Sequence, residues 1–378
     1  MSKVIAASAA IFLLVGCSGP KNKEGLQSQK PETFQSYQLS IDAERKSFSS
    51  LIESIEVVPL EETDNSLLTS ASRVLKHRNE YLVINKGDEE VVFFDSEGKY
   101  LRTFRQLGQG PGEYQSINSF WVKGNVMSIY ERRRSIIFRY TLFGDFIDSM
   151  MLPAQVGHVG EYEGEYIVEF NFNPILDSML YKFGVLDKEL KPKDLYLKTA
   201  EFDAAAVWSN ENSVIPYNDG MLLVRMYCDT VYYYSKGQFQ PLIHLNFGKD
   251  WYWEDGAIIK KEDYGVIENS GQAWDVITSL SDELIYTKSV IGFSHYEHHL
   301  INRSTGKVAR MDLSKDASTE FALNNLGWEK GKWLVSMSAE DLLQLSEELG
   351  YDLPNLDQLS RSENPTLVKI KFKDSSDW

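Results

Sequence analysis

Tyr81-Leu82-Val83-Ile84, Val91-Val92-Phe93-Phe94, Asp95-Ser96-Glu97-Gly98 and Tyr100-Leu101-Arg102-Thr103-Phe104 follow one another as three β-type runs, with a polar turn before the last. β-Branched and aromatic residues crowd each run. Gly98 supplies the positive φ that a tight hairpin needs. A shift of 46 residues reproduces the pattern: Met127-Ser128-Ile129-Tyr130, Ile137-Phe138-Arg139-Tyr140, Gly144 and Phe146-Ile147-Asp148-Ser149-Met150 fall on the same places. One more apolar run precedes each unit, Ser72-Arg73-Val74-Leu75 and Asn118-Ser119-Phe120-Trp121-Val122. Four strands in about 45 residues is the size of a propeller blade.

The repeat continues with drift. Tyr166–Phe170 and Tyr181–Leu186 belong to a third unit, with a turn near Asp187-Lys188. Met221–Arg225, Val231–Tyr234 and Leu242–Leu245 belong to a fourth, and Leu284–Tyr286, Glu297–Asn302 and Val308–Leu313 to a fifth. Trp333–Ser336 and Thr366–Phe372 supply only two strands of a sixth. A lone blade exposes both sheet faces, so the ring must close. Ile55–Leu60 precedes the first unit without a partner and is expected to pair with Thr366–Phe372. The fold class is therefore all-β, a six-bladed β-propeller whose N-terminal strand closes the last blade. Ala339–Leu349 has apolar residues at helical spacing and a stop at Gly350, which predicts a short helix inserted in blade six. The segment 248–272 is a second insertion, and long connections often carry function.

The start of the chain reads differently. A charged Met1-Ser2-Lys3 leads into an apolar run, Val4–Val15, which is too short to span a bilayer as a helix. It ends in Leu14-Val15-Gly16-Cys17, which resembles the bacterial lipobox. That resemblance implies a signal peptide over 1–16, a lipid on Cys17, and a membrane as partner through that lipid. Residues 17–40 are expected to be a flexible tether, because they carry little apolar surface. The propeller is expected over 41–378. The second cysteine, Cys228, lies in an apolar-aromatic stretch and reads as a buried small side chain. The chain has 39 basic and 55 acidic side chains, net −16; loss of Lys3 with the signal takes this to −17. Such a charge argues against nucleic acid as a partner.

Leu107-Gly108-Gln109-Gly110-Pro111-Gly112-Glu113-Tyr114 resembles the blade-linking motif of the six-bladed propeller lipoproteins of Gram-negative envelopes, which are similar to NHL-repeat and TolB-like propellers. The resemblance covers residues 50–373. It implies a cell-envelope location, the outer membrane on its periplasmic or surface face, and a role in binding or scaffolding without a cofactor. A carbohydrate, a peptide or an envelope protein would be the partner. An enzyme, a lyase or hydrolase at the channel mouth, is the alternative.

Candidate sites follow from residue type and place. The glycines at 108, 110 and 112 superficially match a phosphate loop, but a strand rather than a helix is expected next, so they read as a tight linker. His295, Glu297 and His299 share one strand face, which makes a metal site geometrically possible, but incidental histidines on a polar strand face are the favoured explanation. Gly292–Tyr296 lacks the final glycine of a nucleophile elbow. No HExxH, CxxC or calcium-loop pattern occurs, and no catalytic residue is assigned. Arg132, Arg133 and Arg134 are candidates for gripping an anion. Trp251, Tyr252 and Trp253 are candidates for stacking on a ligand, with packing of the insertion as the competing explanation. Arg73, Lys76, Trp121 and Lys123 are expected on inner strands facing a central channel.

Overall fold

The computed structural model describes residues 33–378, apart from positions 86, 171–172, 174, 176–179, 200–212, 255–259, 261, 317, 354–358 and 360. The signal segment, Cys17 and most of the expected tether lie outside the described residues. The folded unit runs from Phe34 to Trp378.

Among the described residues, six antiparallel four-stranded arrays follow one another, and the chain is a six-bladed β-propeller. The blades occupy residues 74–104, 119–151, 158–199, 214–246, 273–312 and 324–372. The 46-residue copy holds strand for strand: Glu80–Asn85 and Val126–Glu131 are the second strands, and Glu90–Asp95 and Ile136–Thr141 the third. One local device closes the hairpin between third and fourth strands. Asp95 Oδ1 accepts the N–H groups of Glu97 and Lys99, and Asp187 Oδ1 accepts those of Glu189 and Lys191. Thr141 Oγ1 and Asn302 Oδ1 do the same in blades two and five. Such side chains mimic the backbone of a turn. At Gly98 (φ 86°), an added Cβ would also lie 2.0 Å from the Pro59 carbonyl oxygen.

The apolar core is split into six slabs, each between two neighbouring blades. Leu82, Phe93, Ile129 and Tyr140 join blades one and two, and Trp121, Tyr130, Val159 and Val168 join two and three. Ile167, Phe183, Met221 and Tyr234 join three and four. Leu222, Leu242, Val276 and Ile301 join four and five, and Tyr286, Leu300, Trp333 and Val368 join five and six. Val58, Leu334 and Leu367 meet Tyr81, Val83 and Phe94, which closes blade six on blade one.

Three N-terminal strands run along the rim. We label them β1 (Gln35–Gln38), β2 (Arg45–Ser47) and β3 (Ile52–Pro59). The strand β3 pairs antiparallel with Thr366–Phe372, from Pro59 opposite Thr366 to Ile52 opposite Phe372, as the sequence predicts. The strands β1 and β2 are additions. They lie parallel to the outer strands of blades four and five, making each five-stranded. The folded body thus begins before the expected boundary at 41. Tyr37 and Leu39 are buried between blades four and five, which gives this polar stretch its hold. The sixth blade's inner strand, Asn324–Glu329, bulges between Asn325 and Gly327. The expected helix forms over Ala339–Leu349. Ser338 caps it by accepting the Asp341 N–H, and Gly350 ends it at φ 61°. It buries Leu342 and Leu345 against the slab containing Trp333. The insertion at 248–272 contains a further helix, Asp263–Ser270. Among the described residues, no helix is long and apolar enough to cross a membrane.

Removal of β3 exposes one edge of blade six and the slab behind it. Deleting residues 50–60 is therefore expected to abolish the cooperative thermal transition followed by circular dichroism. Deleting 34–40, which removes only β1, is expected to lower its midpoint.

Candidate functional site

Blades one, two, four, five and six line a central channel of about 1070 Å³. Its wall includes Arg73, Lys76 and Trp121, together with Arg225, Asp275 and Ile277. Within each blade the end of the second strand lies beside the start of the first. The Ile84 N–H donates to Arg73 O, the Asn118 N–H to Tyr130 O, and the Val224 N–H to Ser213 O; His158 stands opposite Glu169. Residues just before the first strand or just after the second therefore collect at one end of the channel.

Basic groups from four consecutive blades sit at that end. Arg73 donates to Asp88 Oδ1 (2.8 Å), Ile117 O (2.7 Å) and Asn118 O (3.1 Å). Arg132 is half-buried, and burial lowers its pKa against the pull of Tyr130, Glu169 and Asp88. His158 is buried, and burial together with Arg132 and Arg73 holds it down at about 3. Arg225 is only 6% exposed; burial lowers its pKa too, opposed by Glu169. Lys182 faces Arg225, and burial followed by that repulsion lowers its pKa.

The sequence candidates separate. Arg132 joins the arc, whereas Arg133 is exposed. Arg134 turns back to Glu131 and to the Glu113 carbonyl, so it braces the linker. Lys76 stands over the Tyr81 ring at 3.5 Å on the channel wall, and burial lowers its pKa. Trp121 is buried with its indole N–H directed at Glu161 (3.4 Å), and the exposed Lys123 pairs with the same carboxylate at 2.6 Å. Trp251 stacks on Phe247 at 5.4 Å, and Trp253 donates to Trp274 O at 2.7 Å. Tyr252 packs against Trp253. These three residues fasten the insertion to blades four and five, so the packing explanation describes them.

His295, Glu297 and His299 do share a strand, but Glu297 is taken up by two arginines and His295, and His299 Nε2 turns to the backbone. Glu297, 2% exposed, accepts Arg45 (2.7 Å) and Arg310 (2.6 Å), while His295 lies 2.9 Å from it. Burial alone would raise this carboxyl; the hydrogen bonds from Arg310, Arg45 and His295 outweigh it and hold the group at about 2. His299 Nε2 lies 3.1 Å from Ser40 O. Among the described residues no three His, Cys, Asp or Glu side chains converge as metal ligands. In the glycine-rich linker, Glu113 Oε2 accepts the Gly110 N–H at 2.8 Å, and a Cβ on Gly108 would lie 1.9 Å from that oxygen. The loop's own carboxylate occupies the place an anion would take. Cys228 is half-buried; burial raises its thiol pKa.

Arg225, His158 and Lys182 escaped sequence reasoning. Register along the repeat was the available signal, because Arg132, Glu169 and Arg225 all sit at the end of a second strand.

The family described as "Domain of unknown function (DUF4934)" matches residues 37–371, from within β1 almost to the end of the last strand. The chain belongs to this family. The DUF4934 unit thus contains the rim strands as well as the blades. No curated protein sequence matches it. Among solved structures, a Bacteroides fragilis NCTC 9343 protein whose name describes it as exported is 14% identical, with a TM-score of 0.73, covering 90% of this chain and 100% of that one. A DUF4221 family member from Bacteroides vulgatus ATCC 8482 is 10% identical, with a TM-score of 0.52, covering 85% and 97%. At these identities the likeness is one of fold.

Two buried histidines link stability to pH. Burial, then Arg132 and Arg73, hold His158 at about 3; burial outweighs the Ser40 hydrogen bond and holds His299 at about 4. Unfolded, both titrate near 6.5. The unfolded chain therefore binds more protons below that pH, and stability falls as pH drops from 6.5 through 4. Urea midpoints at pH 7.5 and 5 are expected to differ less in a His158→Gln/His299→Gln variant than in the wild type. Glu297 adds its own loss only below its usual value of 4.5.

Proposed function

We propose that the protein is an envelope-anchored binding module, held to a membrane by a lipid on Cys17 and offering its central channel to a ligand or partner. The observation that carries this reading is the channel itself: about 1070 Å³ of lumen, walled by inner strands and bearing Arg73, Arg225 and Trp121. Packed slabs between blades hold such a wall in place before any ligand arrives, which favours binding by a preformed pocket. The aromatic insertion serves packing, so the binding surface is assigned to the channel rather than to residues 251–253. Binding is favoured over catalysis because two charged groups of the wall are already engaged. Arg73 holds Asp88, and Asp275 accepts the Tyr227 N–H.

The charged start, the short apolar run and Leu14-Val15-Gly16-Cys17 support export and lipidation. The name of the Bacteroides fragilis structural relative agrees with export. The outer membrane is the proposed site, with a carbohydrate, peptide or envelope protein as occupant of the channel.

Two measurements test this. Labelled palmitate is expected to enter the wild-type protein and to be absent from Cys17→Ser, which should move from the detergent phase to the aqueous phase. Ile277→Trp places a large side chain in the lumen. Small molecules retained by the wild type from envelope extracts, read by mass spectrometry, are expected to be lost from Ile277→Trp while its melting curve stays cooperative. Equal retention by both would overturn the channel as the site.

A further inference from the structure

Lys76, Lys332, Lys369 and Lys371 face the seam where blade six meets blade one, and three of them hold a carboxylate. Lys369 pairs with Glu329 at 3.2 Å, Lys371 with Glu53 at 2.6 Å, and Lys332 with Glu56. Lys76 differs. Among the described residues no carboxylate lies within 4 Å of its Nζ, and no hydrogen bond takes its N–H groups.

The Tyr81 ring fixes where this ammonium stands. Lys76 is opposite Tyr81 in the ladder, and its Nζ lies 3.5 Å from the ring centroid. The ring is fully buried beside Val58, Leu334 and Leu367, and its hydroxyl donates to Glu329 Oε2 at 2.9 Å. Lys369 Nζ lies 5.7 Å from the same centroid, so two cations share one ring. The acids whose charge reaches Lys76 are Glu329 and Asp95. Glu329 is spent on Lys369 and Tyr81, and Asp95 Oδ1 holds its own hairpin. A half-buried ammonium on the channel wall is thus oriented but lacks a counter-ion, which is costly unless a ligand supplies one.

The lumen beside it is apolar over Val74, Ile215, Ile277, Leu326 and Trp328. We propose that Lys76 takes the carboxylate of an organic acid whose apolar body lies along this wall. One ammonium matches one negative charge, whereas a doubly charged phosphate would need further donors. The buried Tyr81 platform sets the ammonium before binding, which limits the ordering cost. This assignment deepens the channel reading and rests on it.

Isothermal titration of the full-length mature protein in detergent tests it with 3-phenylpropionate, its uncharged amide, and N-acetylphenylalanine. At least one acid is expected to saturate at one per chain, with the amide weaker by about tenfold or more. Tighter binding of N-acetylphenylalanine assigns the C-terminus of a peptide; equal or tighter binding of 3-phenylpropionate assigns a free acid. Lys76→Met keeps an apolar stem on Tyr81 and is expected to remove the preference for acid over amide, while Lys76→Arg retains it. Lys371→Met, on the same wall but paired with Glu53, is expected to change nothing. A lysine that only supports the fold would shift the melting midpoint and leave the acid-to-amide ratio intact, and that result overturns the proposal. So does absence of saturation by both acids at millimolar concentration. If Lys76→Met loses its cooperative melt, acetic anhydride labelling of the wild type, mapped by mass spectrometry, decides instead. Bound acid is expected to shield Lys76 and not Lys371, and unchanged labelling of Lys76 overturns the assignment. If Ile277→Trp loses an envelope ligand that the wild type retains, yet neither acid binds, the Lys76 assignment falls and the channel reading stands. If the acids bind with the Lys76 dependence in both the wild type and Ile277→Trp, and both retain envelope ligand equally, the channel reading falls and Lys76 stands as a site at the mouth alone.

Discussion

Each blade of this ring has two apolar faces, and only the neighbouring blades can cover them. Six slabs of core result, and none belongs to a single sheet. The arrangement is stable only if the sixth blade also meets the first. That contact uses Val58 and Leu60 of the N-terminal segment beside Leu334 and Leu367. A strand taken from the start of the chain therefore completes a sheet made at its end, and the interior of every blade depends on that closure.

The rim repeats this logic outside the core. The strands β1 and β2 cap the outer edges of blades four and five before β3 completes blade six. Uncapped edges present unpaired backbone groups, so the segment also protects two edges. Side chains hold it where the strands are short. Arg45 reaches across the fourth strand of blade five to Glu297, which Arg310 also grips. Gln35 and Tyr37 both donate to the Arg303 carbonyl. The polar face that resembled a metal site in the sequence serves as a fastening for β2.

Much of the ring was legible because blades one and two repeat at a fixed spacing with a glycine at the same turn. The closing strand was legible because Ile55–Leu60 is apolar and otherwise unpartnered. Asn324–Glu329 was not, because an inner strand beside the channel needs no β-branched face and this one bulges at Gly327. Gln35–Gln38 and Arg45–Ser47 were hidden for another reason: they are held by an edge hundreds of positions away rather than by their own pattern. At the candidate site, three successive arginines looked alike. A hairpin turn sends Arg132 to the channel end, leaves Arg133 in solvent and returns Arg134 to Glu131. The packing role of Trp251 to Trp253 was not legible, because composition does not say which way a ring faces. Trp253 spends its indole N–H on Trp274 O.

The rim segment also sets the order in which this molecule can be made. Ser36 and His244, which meet across blade four, are 208 positions apart, and Lys332 and Glu56 are 276 apart. The first strands to leave a ribosome or a translocation pore must therefore wait for partners made much later: β1 for blade four, β2 for blade five and β3 for the last strand. Such long-range pairing slows assembly and prolongs exposure to aggregation.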